Sequence, residues 1–428
     1  MNADTPIHPN SFLACVSAHR PLVNAAGQEL LRQVPFHSWN EQAGQKVPTS
    51  ATIVSVDNGK DAVKGAVLHE RSPHLRTKRI VTAYVPARTI RAGEGVTTWQ
   101  VNDSEPFWIG DDALASQRTE SLPIGGTEER LPDERYQHFL FASLTELLME
   151  AGYATRPGEF QGEHDLYLSF GVPNEEMTLR GAKETVRLSL RSIWNRAFVV
   201  RRTDEQGKVT TWRLRLVEIN PYPQSFATFA SWYYTLEGTP IETEIVKHVT
   251  LDIGGGHLHS CEVDLLHQPG ARPKLRMSAS LLGEGTIAIA RAARDALRAK
   301  SPGIHLSDAQ AQQMLISGAV TVGGRRTNVD DLLAEVIAAR SQHLSTQMLP
   351  LLQEGQSFLM YVGGGSILLA ESLYKLVSAK RSAQSFVFVP TELASVLNAI
   401  GGYVLAQANA QKMVQRMQIS APEPREAR

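Results

Sequence analysis

Apolar and polar positions alternate in a way that divides the chain into strand-like and helix-like runs. Residues 52–56, "TIVSV", are rich in β-branched strand formers and end at Asp57, Asn58 and Gly59, which favour a turn. An apolar run then resumes with Lys64 inside it, so a strand, a turn and a second strand are predicted. "TKRIVTAYVPA" and "EPFWIGDDAL" read as short strands. "RYQHFLFASLTELLMEAG" sets Phe139, Leu140, Leu144, Leu147 and Leu148 on one helical stripe, which Gly152 stops. "DLYLSFGVP" reads as a buried strand reaching a turn, and residues 197–224 as a hairpin around 205–207 followed by a loop.

The second half repeats the opening theme. "KHVTLDIGGGHLHSCEVDLL" is again strand, acid-x-glycine turn, strand. Helical runs follow in "GTIAIARAARDALRAK", "LSDAQAQQMLIS" and "NVDDLLAEVIAARSQHLSTQMLPLL". "SFLMYVGGGSILL" predicts a buried strand, three glycines and a helix start, and "SFVFVP" another short strand. Residues 391–417 predict one or two last helices, interrupted at Gly401 and Gly402. Residues 1–50, rich in Pro, His, Asn and Gln up to about residue 48, read as an extension with a short helix at 22–34; residues 419–428 read as a flexible tail.

The two turns carry one chemistry. In each, an aspartate ends an apolar strand and a glycine follows two residues later: Asp57-Asn58-Gly59 and Asp252-Ile253-Gly254. A glycine lets backbone N–H groups approach a polyphosphate oxygen with no Cβ in the way. An aspartate offers a hard oxygen to Mg²⁺, directly or through water. A single Asp-x-Gly is a weak signal, because ordinary usage produces on the order of one or two in such a chain. Two of them on matching strand–turn–strand units, with a third glycine-rich turn at Gly363-Gly364-Gly365-Ser366, are stronger. Two such hairpins facing each other across a cleft would grip a nucleotide phosphate chain from both sides.

Composition narrows the remaining classes. The 428 residues suffice for two or three domains, and 42% hydrophobic with 20% charged residues is the balance of a globular protein. With 43 basic against 44 acidic side chains, the surface as a whole has no electrostatic reason to hold nucleic acid or membrane. Two cysteines, Cys15 and Cys261, make no disulfide framework and no CxxC zinc pair. The start lacks a signal-peptide layout and no stretch of about 20 residues is uniformly apolar, which points to a cytoplasmic protein.

These motifs resemble the actin superfamily, which also holds sugar kinases and heat-shock chaperones, and most closely the plasmid-segregating bacterial actins of the ParM and Alp type. "DNGKDAVKGAV" resembles their first phosphate loop, "LDIGGGHLHS" the second and "YVGGGSILL" the adenosine loop. "NPYPQSFATFASWYYTLEG" and "FVPTELASVLNAIGGYVLA" resemble the two connecting segments, the latter with Asn398 and Gly401. The resemblance spans roughly residues 52–406. It implies an α/β, two-lobed ATPase fold with duplicated RNase H-like domains around a nucleotide cleft. Domain I would span 51–248, with a small subdomain inserted at about 75–155, domain II would span 249–395, and a helix at 396–418 would return to domain I.

The roles are implied in the same way. Asp57 and Asp252 would serve Mg²⁺ through water. Asn58, Gly59 and Lys60 would offer backbone donors to the γ-phosphate, and Lys64 would reach the β-phosphate. Gly254, Gly255 and Gly256 would cradle the other side. Gln224 and His259 would attend the attacking water, with Asp252. Gly283 and Gly285 would touch the nucleotide, and Gly363, Gly364, Gly365 and Ser366 would line adenine and ribose. Lys60 departs from the usual Ser, Thr or Gly, and His257 from the usual small polar residue. The implied ligand is Mg²⁺ with ATP, or GTP in its place. The implied partners are further copies of the chain and a DNA-binding adaptor. A non-motor scaffold of cell shape, division or pilus assembly and a metabolic kinase are the other functions the superfamily offers. A kinase would need a substrate acid between the two loops, and none stands out.

Overall fold

The computed structural model describes residues 29–40, 45–86, 96–116, 122–123, 126–153, 163–178, 182–265, 273–282, 285–322, 325–348, 357–380 and 386–420. The chain forms two compact units, one containing residues 29–241 and 396–420, the other residues 242–395.

The first unit holds strands β1 (Gln33–Asn40), β2 (Gln45–Asn58), β3 (Ala62–Leu68), β4 (Leu75–Val81), β5 (Tyr84–Pro86), β6 (Thr98–Val101) and β7 (Phe107–Ile109). Helices α1 (Gly110–Ala115), α2 (Thr127–Arg130) and α3 (Glu134–Glu150) follow, then β8 (Glu163–Val172), α4 (Glu175–Thr178), α5 (Ala182–Leu190), β9 (Ala197–Thr203), β10 (Val209–Pro223) and α6 (Gln224–Tyr233). Its sheet runs β4-β3-β2-β8-β10-β9-β6-β7-β5, with β1 paired to β2. The second unit holds β11 (Lys247–Ile253), β12 (His257–Asp264), β13 (Lys274–Leu282), α7 (Thr286–Lys300), α8 (Asp308–Ser317), β14 (Ala319–Val322), β15 (Arg325–Asn328), α9 (Asp330–Met348), β16 (Ser357–Val362), α10 (Gly364–Ser378), β17 (Phe386–Phe388) and α11 (Thr391–Ala394). The last helix, α12 (Leu397–Ser420), belongs to the first unit.

One sheet design occurs twice. In β4-β3-β2-β8-β10 the pairings are antiparallel, antiparallel, parallel and parallel. In β13-β12-β11-β16-β17 they follow the same order of directions. The continuous apolar run of β2 has a simple cause. Val54 and Val56 pack toward α3, in a cluster with Phe139, Leu140, Leu144 and Leu147. Ala51 and Ile53 face the other way, toward Ala399, Tyr403, Ala406 and Ala410 of α12. A strand covered on both faces loses its polar alternation.

The structure departs from the sequence reading in four places. The end of "EPFWIGDDAL", read as a strand, forms α1. The helix expected at 22–34 lies outside the described residues up to 28, and Gln33 already starts β1. That strand pairs with β2 along its whole length, so the stretch read as an extension adds an edge to the sheet. The loop expected before Gln224 is instead the end of β10, with Pro221 and Pro223 beyond the last β9 pairing at Arg215. There the β9 side demands no N–H donor, so proline is tolerated. Gly401 and Gly402 do not interrupt α12. A Cβ on Gly401 would run into the Ala227 carbonyl of α6, and one on Gly402 into the Tyr222 ring and the Ser55 hydroxyl. Gly401 lets two backbones approach, and Gly402 makes room for the Tyr222 and Ser55 side chains.

Candidate functional site

Each unit carries an acid-and-glycine turn at the same place in its repeated sheet. In the first, the β2–β3 register sets Asp57 opposite Lys64. The Lys64 ammonium lies 3.6 Å from Asp57 Oδ2 and 3.3 Å from Asp61 Oδ1. Asp57 is 3% exposed, and its Oδ1 accepts a 2.7 Å hydrogen bond from Gln224 Nε2. Sheet order explains that meeting: β8 pairs with both β2 and β10, and α6 begins with Gln224 directly after β10. Asn174, wholly buried after β8, fixes the first turn of α6, donating to Ser225 Oγ at 2.5 Å and accepting from Ser225 N–H at 3.3 Å. Gly59 is required by space, because a Cβ there would stand 2.6 Å from the Ala62 carbonyl oxygen.

The turn has a support that sequence reasoning missed. Arg130, 3% exposed at the end of α2, donates from Nη1 to the Asn58 carbonyl (2.9 Å), Asn58 Oδ1 (2.9 Å) and the Gly59 carbonyl (3.2 Å). The Tyr136 hydroxyl also donates to Asn58 Oδ1, and the Arg130 guanidinium lies 5.7 Å from the centre of its ring. The Asn58 side chain and the Asn58 and Gly59 carbonyls are therefore spent inside the protein. Partial burial and the Arg130 guanidinium push the Lys60 ammonium below its ordinary pKa. Arg130 sits in "TEERLPDERY", which reads as a solvated charge run; no pattern in it marks one arginine as buried.

In the second unit the β11–β12 register sets Asp252 opposite His259, so in both turns the acid's partner lies seven residues on. His259 is 5% exposed, and its ring lies 5.3 Å from that of His257. The Gly254 N–H donates to the His257 carbonyl at 2.9 Å, which closes the turn. The first amides of α7 hold this turn from behind: Thr286 N–H donates to the Gly254 carbonyl at 3.0 Å and Ile287 N–H to the Gly255 carbonyl at 2.9 Å. Gly285 is buried against those carbonyls, and Gly283 lies outside the described residues.

The third turn joins the same cluster. Gly363 follows β16, adopts φ +87°, and a Cβ there would stand 2.5 Å from Asp252 Oδ1. Gly365 packs on Ile253. Gly364 is exposed, with nothing within 4 Å of where a Cβ would sit. Ser366 is buried and donates from Oγ to the Gly363 carbonyl at 2.8 Å, so its hydroxyl shapes the turn. The fold itself thus demands Gly363 and Gly365, while Gly364 leaves open backbone for a ligand. Among the described residues, no three His, Cys, Asp or Glu side chains gather as a metal cluster, and no helix is long and apolar enough to cross a membrane.

Solved structures of similar fold include an archaeal actin homologue and ParM proteins. An archaeal actin homologue, Ta0583, superposes with a TM-score of 0.59 at 18% identity, over 83% of this chain and 99% of its own. The same protein has been solved in complex with ADP. A ParM from Clostridium botulinum, solved as a 15-stranded filament, gives 0.61 at 14% identity, over 83% and 99%. A Bacillus thuringiensis ParM with AMPPNP gives 0.55 at 12% identity, over 84% and 98%. No protein-family model and no curated protein matches the chain. The chain has the actin-like α/β fold.

Proposed function

We propose that the chain is a nucleotide-dependent, filament-forming actin-like ATPase that separates plasmid or other DNA through a DNA-bound adaptor. One observation carries the reading most. An acid-and-glycine turn recurs at the same position of a five-strand pattern that both sheets contain, with Asp57 against Lys64 in one and Asp252 against His259 in the other. A repeated scaffold explains the repeated strands; it does not by itself require the acid, the glycine and a basic partner at both turns.

The residues suit a magnesium nucleotide. Asp57 and Asp252 are carboxylates that would offer hard oxygens to Mg²⁺, and the exposed backbone at Gly364 would leave room for adenine and ribose. The Asn58, Gly59 and Lys60 backbone serves the γ-phosphate, and Lys64 the β-phosphate. Bound Mg²⁺ would offset the negative charge that builds on the phosphates during transfer. Gln224 is tethered through Nε2 to Asp57, which leaves its Oε1 as the acceptor that would orient an attacking water. ATP is the expected nucleotide. The near-zero net charge suits a cytoplasmic protein that reaches DNA through an adaptor and not by its own surface.

The test is right-angle light scattering of the purified chain on adding Mg-ATP, followed by pelleting and negative-stain microscopy. A rapid rise, visible filaments and decay as phosphate appears are expected. No rise across the micromolar range, with ATP still bound or hydrolysed, would overturn the filament reading.

A further inference from the structure

Arg130 is an unusual side chain for a soluble protein. It is 3% exposed, and its partners among the described residues are the oxygens of Asn58 and Gly59 and the face of the Tyr136 ring. Its buried Nε meets no acceptor. A guanidinium sunk this deep normally meets a carboxylate, because an uncompensated buried charge is costly. Among the described residues its hydrogen-bond acceptors are uncharged, and three of them belong to one turn, the first acid-and-glycine turn.

We propose that Arg130 is a positioning residue for the terminal phosphate of a nucleoside triphosphate, which rests on the nucleotide reading of that turn. Its Nη1 draws the Asn58 and Gly59 carbonyls into the protein. A carbonyl turned outward would repel a phosphate; two turned inward leave the N–H side of the turn to it. The same guanidinium places a positive charge directly behind the turn, which an arriving anion neutralises. The Asn58 side chain is the second strut, since its Oδ1 takes donors from both Arg130 and Tyr136. Arg130 acts through the turn and makes no contact of its own with the nucleotide. Its effect therefore concentrates on the phosphate that this turn serves.

The experiment is calorimetric titration of the full chain with Mg-ATP, Mg-ADP and adenosine. The variants are Arg130→Met, Arg130→Lys and Tyr136→Phe. R130M is expected to lose about tenfold or more in ATP affinity, the scale of one charge-assisted hydrogen bond, with a smaller loss for ADP and none for adenosine. R130K, which keeps the charge but not the fork, is expected to fall between R130M and the wild type. Y136F is expected to weaken ATP a few-fold through Asn58. Equal losses for all three ligands, or an R130M variant that binds ATP like the wild type, would overturn the inference. If R130M does not fold, R130K decides: wild-type ATP affinity there overturns it, and a loss larger for ATP than for ADP and absent for adenosine supports it. A wild-type chain that binds none of the three ligands overturns the nucleotide reading and this inference with it.

Discussion

Lys64 offers a way to separate what the site does for the fold from what it does for a ligand. Its ammonium stands 3.6 Å from Asp57 Oδ2, and the two side chains are 12% and 5% exposed. At an effective dielectric of about 20, that separation corresponds to roughly 4–5 kcal/mol of attraction. Loss of solvation by both ions offsets part of it, leaving a net coupling of about 2–3 kcal/mol. Lys64→Met removes the charge and keeps the apolar stem, so a buried carboxylate remains at Asp57 without its cation. That variant is expected to lose about 3 kcal/mol. Asp57→Asn alone leaves the amide of Gln224 facing a neutral partner and Lys64 short of one carboxylate. The double variant removes both charges together, and its loss should fall short of the summed single losses by the coupling energy. Urea unfolding followed by tryptophan fluorescence reads this unit alone, because all six tryptophans lie between residues 39 and 232. Nucleotide affinity is the second readout. If Lys64 also holds a phosphate, the double variant regains stability relative to that sum but stays defective in binding ATP. A coupling below about 0.5 kcal/mol would refute the ion-pair reasoning, and wild-type ATP affinity in the double variant would refute the phosphate role.

Three further outcomes follow from the geometry. Gly364→Ala should fold with wild-type stability, since the new methyl meets nothing within 4 Å, yet lose nucleotide affinity; unchanged affinity by titration would remove Gly364 from the site. Gly401→Ala drives a methyl into the Ala227 backbone and should cost about 3 kcal/mol or more in urea unfolding. Gly303→Ala, in open space, should stay within about 0.5 kcal/mol, and equal effects would refute the packing argument. His248 is wholly buried, and that burial pushes its pKa down from 6.5 to about 3. The unfolded chain takes up this proton near 6.5 and the fold does not, so its contribution is complete above that value and lost as pH falls below it. Between pH 7 and 5 the loss is about 2 kcal/mol. Amide exchange of β11 should quicken accordingly over that range, and in His248→Phe this acid sensitivity should vanish. Retained sensitivity in that variant would place its cause elsewhere.

Much of the fold was legible along the chain because local rules agreed with the final packing. The stripe from Phe139 to Leu148 became α3, stopped at Gly152 with φ +79°. The hairpin tip at 205–207 became the turn between β9 and β10, and both Asp-x-Gly units became strand–turn–strand pairs. Period and turn chemistry depend on neighbours a few residues away, and such neighbours are present in any sequence window.

Other features depended on partners far along the chain. Gly401 and Gly402 read as helix breakers, and only α6 and Tyr222 lying against them reveal why a glycine stands there inside α12. Gly363 and Ser366 read as ligand-lining residues, and the packed chain adds that Asp252 crowds the first and that the second donates to the Gly363 carbonyl. The site itself divides the same way. The acids, glycines and Lys64 stand close together in sequence, so the two strand–turn–strand units that carry them were readable from it. Arg130 is 72 residues from the Asn58 it supports, in a run of charges indistinguishable from a solvated surface. Gln224 reaches Asp57 across 167 residues only because β8 separates β2 from β10 in the sheet. Residue type and spacing determined which strands and turns form. Burial and contact between distant residues are properties of the packed chain, because only the assembled sheet and its covering helices set which side chains lose water and which oxygens they meet.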